Sequence, residues 1–150
     1  MKSTRQSVFE TNSSATHALT ISNRWSTESY AKLKLNRKKQ LVLKGGSFDR
    51  EFADYNDALT KANYCAIYAK LQEDSGNPKP LDMLTAVLLK QTGASEVIYD
   101  FAVNEEDDRA KYYGSINHQA QDACEDAFAG DLVLTRFIFD PKSWLHTDSD

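Results

Sequence analysis

The stretch 57–71, DALTKANYCAIYAKL, is where the sequence changes from strand-like to helix-like, and this change decides the fold. Small and apolar residues recur in it at helical spacing: Ala58, Ala62, Cys65, Ala66 and Ala69. The pattern predicts a helix that runs through Leu71, with Asn56 or Asp57 as its N-cap. Because the stripe consists of small side chains, this helix can pack closely against its neighbours.

Two further helices are predicted downstream. Pro80 is typical of the first turn of a helix and Gly93 of the position just after its end. The apolar stripe between them consists of Leu81, Leu84, Val87 and Leu88, widened by Met83, Ala86 and Leu89. This breadth predicts the most buried helix of the protein. A third stripe, closed by Gly130, consists of Ala120, Ala123, Cys124, Ala127 and Phe128.

Five short segments read as strands: 7–10, 17–21, 40–44, 96–103 and 132–139. In the second, His17 lies on the same face as Leu19 and Ile21. The fifth is apolar on both faces, which predicts a central strand that ends before Pro141, with His146 in the tail beyond. We therefore expect a single α+β domain over residues 1–150, with a mixed, largely antiparallel sheet of about five strands and about three helices packed on it.

Composition bounds the class of protein. The 150 residues are 41% hydrophobic and 27% charged, as in ordinary globular domains. With 18 basic and 22 acidic residues the net charge is −4, which argues against strong nucleic-acid binding. The longest apolar stretches fall far short of the roughly 20 residues of a membrane span, and no apolar stretch of a secretory signal follows the N-terminus. We expect a cytoplasmic protein with no membrane association.

No metal or cofactor is predicted. Cys65 and Cys124 stand alone, without CxxC spacing, and are interpreted as reduced packing residues. Only three histidines occur, too few for a histidine-rich metal site.

The first polar constellation is Glu10-Thr11-Asn12-Ser13-Ser14-Ala15-Thr16-His17, which lies between two predicted strands. Its amide and hydroxyl side chains can satisfy their own backbone, with His17 as a core histidine bonded at both nitrogens. Alternatively, Asn12, Ser13 and Ser14 surround a phosphate or carboxylate, and Glu10 and His17 act as acid and base. Both interpretations stay open at the level of sequence.

The second polar constellation, Asn117-His118-Gln119, precedes the third helix. A helix N-terminus attracts anions and favours a neutral imidazole, so His118 could accept a proton from a substrate. In the alternative interpretation, Asn117 caps the helix and His118 is a surface residue.

Residues 32–44, called the basic segment below, carry positive side chains and no acidic residue. The six are Lys32, Lys34, Arg37, Lys38, Lys39 and Lys44. They could bind phosphate groups, or they could protect a solvated edge strand from aggregation. The Gly45-Gly46 pair that follows lacks the GK[ST] ending of a P-loop.

The opening Arg5-Gln-Ser-Val-Phe-Glu-Thr-Asn-Ser-Ser-Ala-Thr-His17 resembles that of a family of short proteins of tailed bacteriophages and prophages, R-x-S-V-F-E-T-N-S-S-S-x-H. Weaker resemblances cover residues 45–48, 59–64, 113–119 and 147–150. This chain differs from the family pattern at Ala15, residues 49–50, Asn117 and Ser149. The resemblance implies a phage origin and a role inside an infected bacterial cell, and it implies no particular reaction.

Two functions fit these observations. The first is a non-catalytic binder that modulates a host or phage protein. The second is an enzyme acting on a phosphate-bearing nucleotide or nucleic acid through the catalytic residues Glu10, His17 and His118. Its ligand would be bound by Arg5, Asn12, Ser13, Ser14, Asn117 and Gln119. The scarcity of histidines, and Asn117 where the family has Asp, favour the binder. No heptads or fibre repeats support a structural role in the virion.

Overall fold

The computed structural model describes residues 15–24, 26–46, 48, 53–101 and 121–149. Its elements in chain order are β1 (Ala15–Thr20), β2 (Gln40–Leu43), β3 (Ala53–Tyr55), α1 (Ala58–Asp74), α2 (Lys79–Thr92), β4 (Glu96–Tyr99), α3 (Gln121–Glu125) with a 3-10 turn (Asp126–Phe128), α4 (Asp131–Phe139) and β5 (Trp144–Ser149). The predicted α+β class is confirmed.

The described strands lie in two sheets. The first contains three antiparallel strands in the order β1-β5-β3, and the second pairs β2 with β4 in parallel. The prediction of mostly antiparallel pairing is therefore confirmed. Strands β2 and β4 can pair in parallel because the chain between them includes both α1 and α2, and such a crossover connection brings the second strand back in the same direction.

The three-stranded sheet has one buried and one open face. His17 on β1 pairs with Thr147 of β5, and Leu19 pairs with Leu145, so these four side chains face the core. The intervening residues face outward, since successive side chains of a strand alternate between faces. The prediction that His17 shares the apolar face of its strand is confirmed.

Helix α1 is the most buried helix, where the sequence had indicated α2. Asp57 caps α1 as predicted, its carboxylate accepting a hydrogen bond from the Thr60 amide at 2.9 Å. Every residue from Tyr64 to Ala69 is buried. The small stripe lets α2, α4 and β2 all pack against α1, so this helix lies inside the fold and α2 covers it.

The prediction of a central strand at 132–139 is wrong, because this stretch forms α4. Leu134, Phe137 and Ile138 are fully buried at the i, i+3, i+4 spacing of one helical face. A buried helix and a central strand are both apolar all round, so hydropathy does not separate them. Asp131 in the first turn, directly after Gly130, is a helix-start feature that the strand interpretation disregarded.

The sequence does not predict β3 or β5, and β5 is the central strand of the three-stranded sheet. The residues after Pro141 were interpreted as a tail, but Trp144–Ser149 forms β5, which pairs with both β1 and β3. Only Leu145 in β5 is aliphatic, so the sequence lacks a clear alternation. The predicted strand at 96–103 ends as β4 at Tyr99, and the one predicted at 7–10 lies outside the described residues.

One hydrophobic cluster joins both sheets to the helices. Its largest fully buried apolar members are Leu41, Leu43, Tyr64, Ile67, Leu84, Leu88, Leu134, Phe137, Ile138, Phe139 and Leu145. Cys65 and Cys124 are free thiols with no exposed surface, which agrees with a packing role. Burial, together with contact with Cys65, raises the pKa of the Cys124 thiol well above its ordinary value. None of the described helices is both long enough and apolar enough to cross a membrane.

Gly45, which follows β2, should not tolerate a side chain. Its φ of +76° is unfavourable for L-residues, and a Cβ there would lie 3.1 Å from the Phe101 ring. We expect Gly45→Ala to lower the free energy of unfolding by about 2 kcal/mol, measured by urea denaturation. Gly93→Ala is the matched control, because its φ is +73° and its Cβ would meet nothing within 4 Å. An equal loss in both variants would exclude a contribution from the Phe101 contact.

Candidate functional site

Of the residues singled out from the sequence as catalytic or ligand-binding, only His17 lies in the described part of the chain. Those outside it are Arg5, Glu10, Asn12, Ser13, Ser14, Asn117, His118 and Gln119. The predicted convergence of the N-terminal polar loop with Asn117-His118-Gln119 therefore stays a prediction.

His17 occupies a core position with a partner at each ring nitrogen. Its residue is 3% exposed; Nδ1 lies 2.8 Å from the Tyr64 hydroxyl and Nε2 lies 3.0 Å from the Phe48 carbonyl oxygen. A carbonyl oxygen only accepts, so Nε2 carries a proton and donates it, and a neutral ring then accepts the Tyr64 O–H at Nδ1. This arrangement matches the core-histidine interpretation of the sequence.

Aromatic rings fix this arrangement. Phe48 packs edge-on against Tyr64 with ring centroids 5.1 Å apart, and against Tyr55 at 6.1 Å. Because Tyr64 lies on α1 and His17 on β1, the cluster ties the three-stranded sheet to the central helix. The role visible for His17 is thus to join two layers of the fold.

The backbone of the basic segment is held by packing contacts and hydrogen bonds. Leu33 and Leu35 pack against the core, while Lys32 and Lys34 alternate with them and are exposed. These four residues belong to neither sheet, so the edge-strand interpretation of the basic segment does not apply to Lys32 and Lys34. Because Leu33 and Leu35 are anchored in the core, Lys32 and Lys34 point to solvent.

A tight turn follows at residues 36–40. The Asn36 side chain accepts hydrogen bonds from the amides of Lys38 and Gln40, both at 2.9 Å. Lys39 takes a φ of +62°, and its carbonyl accepts a hydrogen bond of 2.8 Å from the Ser95 amide. These bonds fix the backbone that carries three consecutive cations.

In the part of the chain that the structure describes, five of the six cations of the basic segment make no ion pair. The sixth, Lys44, lies 3.9 Å from Asp100. The nearby Glu96 carboxylate accepts a hydrogen bond from Gln40 at 2.6 Å. The segment is therefore a strongly positive surface on a chain whose net charge is negative.

Lys61 is a buried cation that sequence reasoning did not identify. Its ammonium donates to the carbonyl oxygens of Asp140 at 2.9 Å and Ser143 at 2.8 Å, and the residue has no exposed surface. Burial lowers the pKa of Lys61 to about 8, against the opposing effects of Asp140 and Asp57. Lys61 thereby anchors the turn between α4 and β5 to α1.

The Asp140 carboxylate in the same turn is also buried. It accepts hydrogen bonds from Nε of Arg24 at 3.1 Å, from Nη2 of Arg24, and from the Lys142 amide at 2.9 Å. Burial alone would raise the pKa of Asp140, but these bonds and one from Ser22 outweigh it and lower the pKa to about 2. Both buried charges are therefore engaged in structural contacts.

A hydrogen-bonded row of three side chains crosses the open face of the three-stranded sheet. His146 on β5 lies between Asp54 on β3, with Nδ1 2.7 Å from Oδ1, and Thr20 on β1, with Nε2 3.0 Å from Oγ1. The side chains of His146 and Asp54 are 39% and 65% exposed. Sequence reasoning missed this row because it had placed His146 in a tail.

Among the described residues no group of three or more His, Cys, Asp or Glu side chains could bind a metal ion. Comparison of the chain with protein-family models, with curated proteins and with solved structures found no match.

Proposed function

We propose that the protein is a non-catalytic binder of a host or phage protein in an infected bacterial cell, and that the basic segment is its recognition surface. The observation that carries this proposal is the group of five exposed cations, Lys32, Lys34, Arg37, Lys38 and Lys39, which make no ion pair in the described part of the chain. Charges left unpaired on a surface are available to a partner of opposite sign.

The backbone of the basic segment favours recognition because it is already ordered. Leu33 and Leu35 anchor one end, and Asn36 with Ser95 fixes the turn. Binding would therefore cost little backbone entropy and would require ordering only of the lysine and arginine side chains.

The charge distribution indicates the chemistry of the partner. A positive surface on a chain of net charge −4 suits a local acidic patch on another protein. A long polyanion such as DNA would meet the negative remainder of the molecule, so an acidic protein is the favoured partner over a nucleic acid. Association should weaken as salt concentration rises.

The placement of His17 supports a binder over the nucleotide-directed enzyme. Its two ring nitrogens already bond Tyr64 and Phe48, so a catalytic role would require breaking a core contact. The alternative enzyme would then depend on Glu10 and His118 without it.

A pull-down with charge-neutralised variants tests the proposal. The protein carrying Arg37→Gln, Lys38→Gln and Lys39→Gln is compared with wild type and with a control carrying Lys79→Gln, Lys90→Gln and Lys142→Gln, all exposed and outside the segment. Nuclease-treated bacterial lysate supplies candidate partners. We expect a protein retained by wild type and control but not by the variant.

The purified partner then serves for titration calorimetry. We expect its Kd to weaken by about tenfold or more in the variant and by less than about twofold in the control. Equal affinity of variant and control, or no protein retained above background, would each refute the proposal.

A further inference from the structure

The open face of the three-stranded sheet brings together three residues that are far apart in the sequence. His146 is directly opposite Ala18 on β1 and Asp54 on β3, and Thr20 is opposite Trp144 in the next row of the same face. Asp54, His146 and Thr20 thus follow one another across the sheet, joined by hydrogen bonds of 2.7 and 3.0 Å.

The donor and acceptor roles in this row are fixed by chemistry. An ionised carboxylate only accepts, so Nδ1 of His146 must donate its proton to Asp54. In the neutral ring Nε2 then carries the lone pair, and Thr20 donates its O–H to it. His17 has the opposite arrangement, with its donor at Nε2. Of the two histidines that the structure describes, His146 is the one whose neutral imidazole accepts from an exposed aliphatic hydroxyl.

We infer that Thr20, His146 and Asp54 form a nucleophilic site that accepts an acyl group from an ester or thioester. The inference comes from geometry: a hydroxyl lies within hydrogen-bond reach of a base, a carboxylate orients the base, Thr20 and Asp54 are exposed, and His146 is partly exposed. Thr20 is β-branched and so has restricted χ1 freedom, which helps to keep Oγ1 directed at Nε2.

The reaction balances with water as the second substrate. Oγ1 of Thr20 attacks the carbonyl carbon while its proton passes to Nε2 of His146, and the Asp54 carboxylate stabilises the resulting imidazolium. The bond to the leaving oxygen or sulfur breaks, and the leaving group takes the proton from Nε2. Water, deprotonated by the same nitrogen, then attacks the acyl-threonine ester, which releases a carboxylic acid and restores the Thr20 hydroxyl.

Trp144 indicates the class of acyl group. Its ring lies parallel to that of His146, at an interplanar angle of 8° with centroids 6.3 Å apart, and its residue is opposite Thr20. An apolar or aryl acyl group bound at Oγ1 can therefore pack against the indole.

The three residues lie on a different sheet from β2, the strand within the basic segment, so the binding role and the acyl-transfer site can be tested separately. A Thr20 variant that loses acylation should still capture the partner. The variant with neutralised lysines should still be acylated.

The test uses 4-nitrophenyl acetate on the full chain, with peptide mass mapping to locate the acetyl group. We expect acetylation of Thr20 that alkaline hydroxylamine removes, as it removes an ester but not a lysine amide. Thr20→Val should abolish it, and Thr20→Ser should retain it. Asp54→Asn should slow it by about tenfold or more, because the carboxylate no longer orients the ring. Thr27 and Glu28 are exposed residues outside the row, so Thr27→Val and Glu28→Gln serve as controls. In both variants Thr20 should be acetylated at the wild-type rate.

His146→Gln completes the series, and thermal unfolding of each variant checks the fold. If the His146→Gln protein is unfolded, the acetylation rate of Asp54→Asn decides the test, since Asp54 is largely exposed and its replacement should leave the fold intact. Acetylation of amines alone, or acetylation of Thr20 at the same rate in wild type and Asp54→Asn, would overturn the inference and leave the row as a surface hydrogen-bond network.

Discussion

Replacing Lys61 by Met should lower the free energy of unfolding by about 3 kcal/mol. Methionine can fill the space of the lysine stem, but the Asp140 and Ser143 carbonyls lose the donor that satisfies them in the interior. Relief from burying the ammonium acts in the opposite direction. The loss dominates because the carbonyl oxygens of Asp140 and Ser143 both stay buried without a hydrogen-bond donor.

Urea denaturation measures this loss. Lys90→Met is the matched control, since Lys90 is an exposed residue of α2 and its replacement should change stability by no more than about 0.5 kcal/mol. A Lys61→Met protein as stable as the control would show that the α4–β5 turn does not depend on this anchor.

The stability of wild type and that of Lys61→Met should respond differently to pH. Burial lowers the pKa of Lys61 from 10.5 to about 8, so between these values the folded state binds fewer protons than the unfolded state. Stability from this residue therefore rises with pH across that window. We expect the urea midpoint of wild type to rise relative to that of Lys61→Met between pH 8 and 10. If the difference in urea midpoint between the two proteins does not change with pH, burial does not lower the pKa of Lys61.

Replacing His17 by Ala should also cost about 3 kcal/mol of unfolding free energy. The substitution removes a buried ring, leaves the Phe48 carbonyl without its donor, and deprives the Tyr64 hydroxyl of its acceptor. His146→Ala is the matched control: its side chain is 39% exposed and its pair with Asp54 should contribute at most about 1 kcal/mol.

A double-mutant cycle of His17→Ala with Tyr64→Phe isolates the hydrogen bond between them. We expect the two losses to be non-additive by about 1 kcal/mol, because either substitution alone breaks the same contact. Strict additivity would mean that the His17–Tyr64 contact contributes nothing to stability. A His17→Ala protein with unchanged stability would favour the catalytic interpretation of this residue.

The parts of the fold that sequence reasoning predicted are those set by local pattern. Asp57 and the small stripe that follows it define α1, and the alternation around His17 defines β1. The failures arose where the pattern was ambiguous or non-local. A helix with an almost wholly apolar sequence at 132–139 resembles a central strand, and β5 becomes recognisable only from the two strands that pair with it.

The site residues were harder to predict because their partners are distant in sequence. His146 bonds Asp54 across 92 residues and Thr20 across 126. Lys61 occurs within a helical stripe of small residues, and no local feature marks it as the donor to a turn about 80 residues later. The tertiary arrangement of β1, β3 and β5, and of α1 beside the turn between α4 and β5, makes these pairs.

The central position of β5 has a consequence for synthesis on the ribosome. Strands β1 and β3 have no direct pairing with each other and meet only through residues 144–149. A nascent chain that has already emerged through α2 therefore carries both strands without β5, their shared partner in the described part of the chain, and the backbone amides and carbonyls that β5 would bond are available to other chains. A stop codon before Trp144 would leave the protein permanently in that aggregation-prone condition.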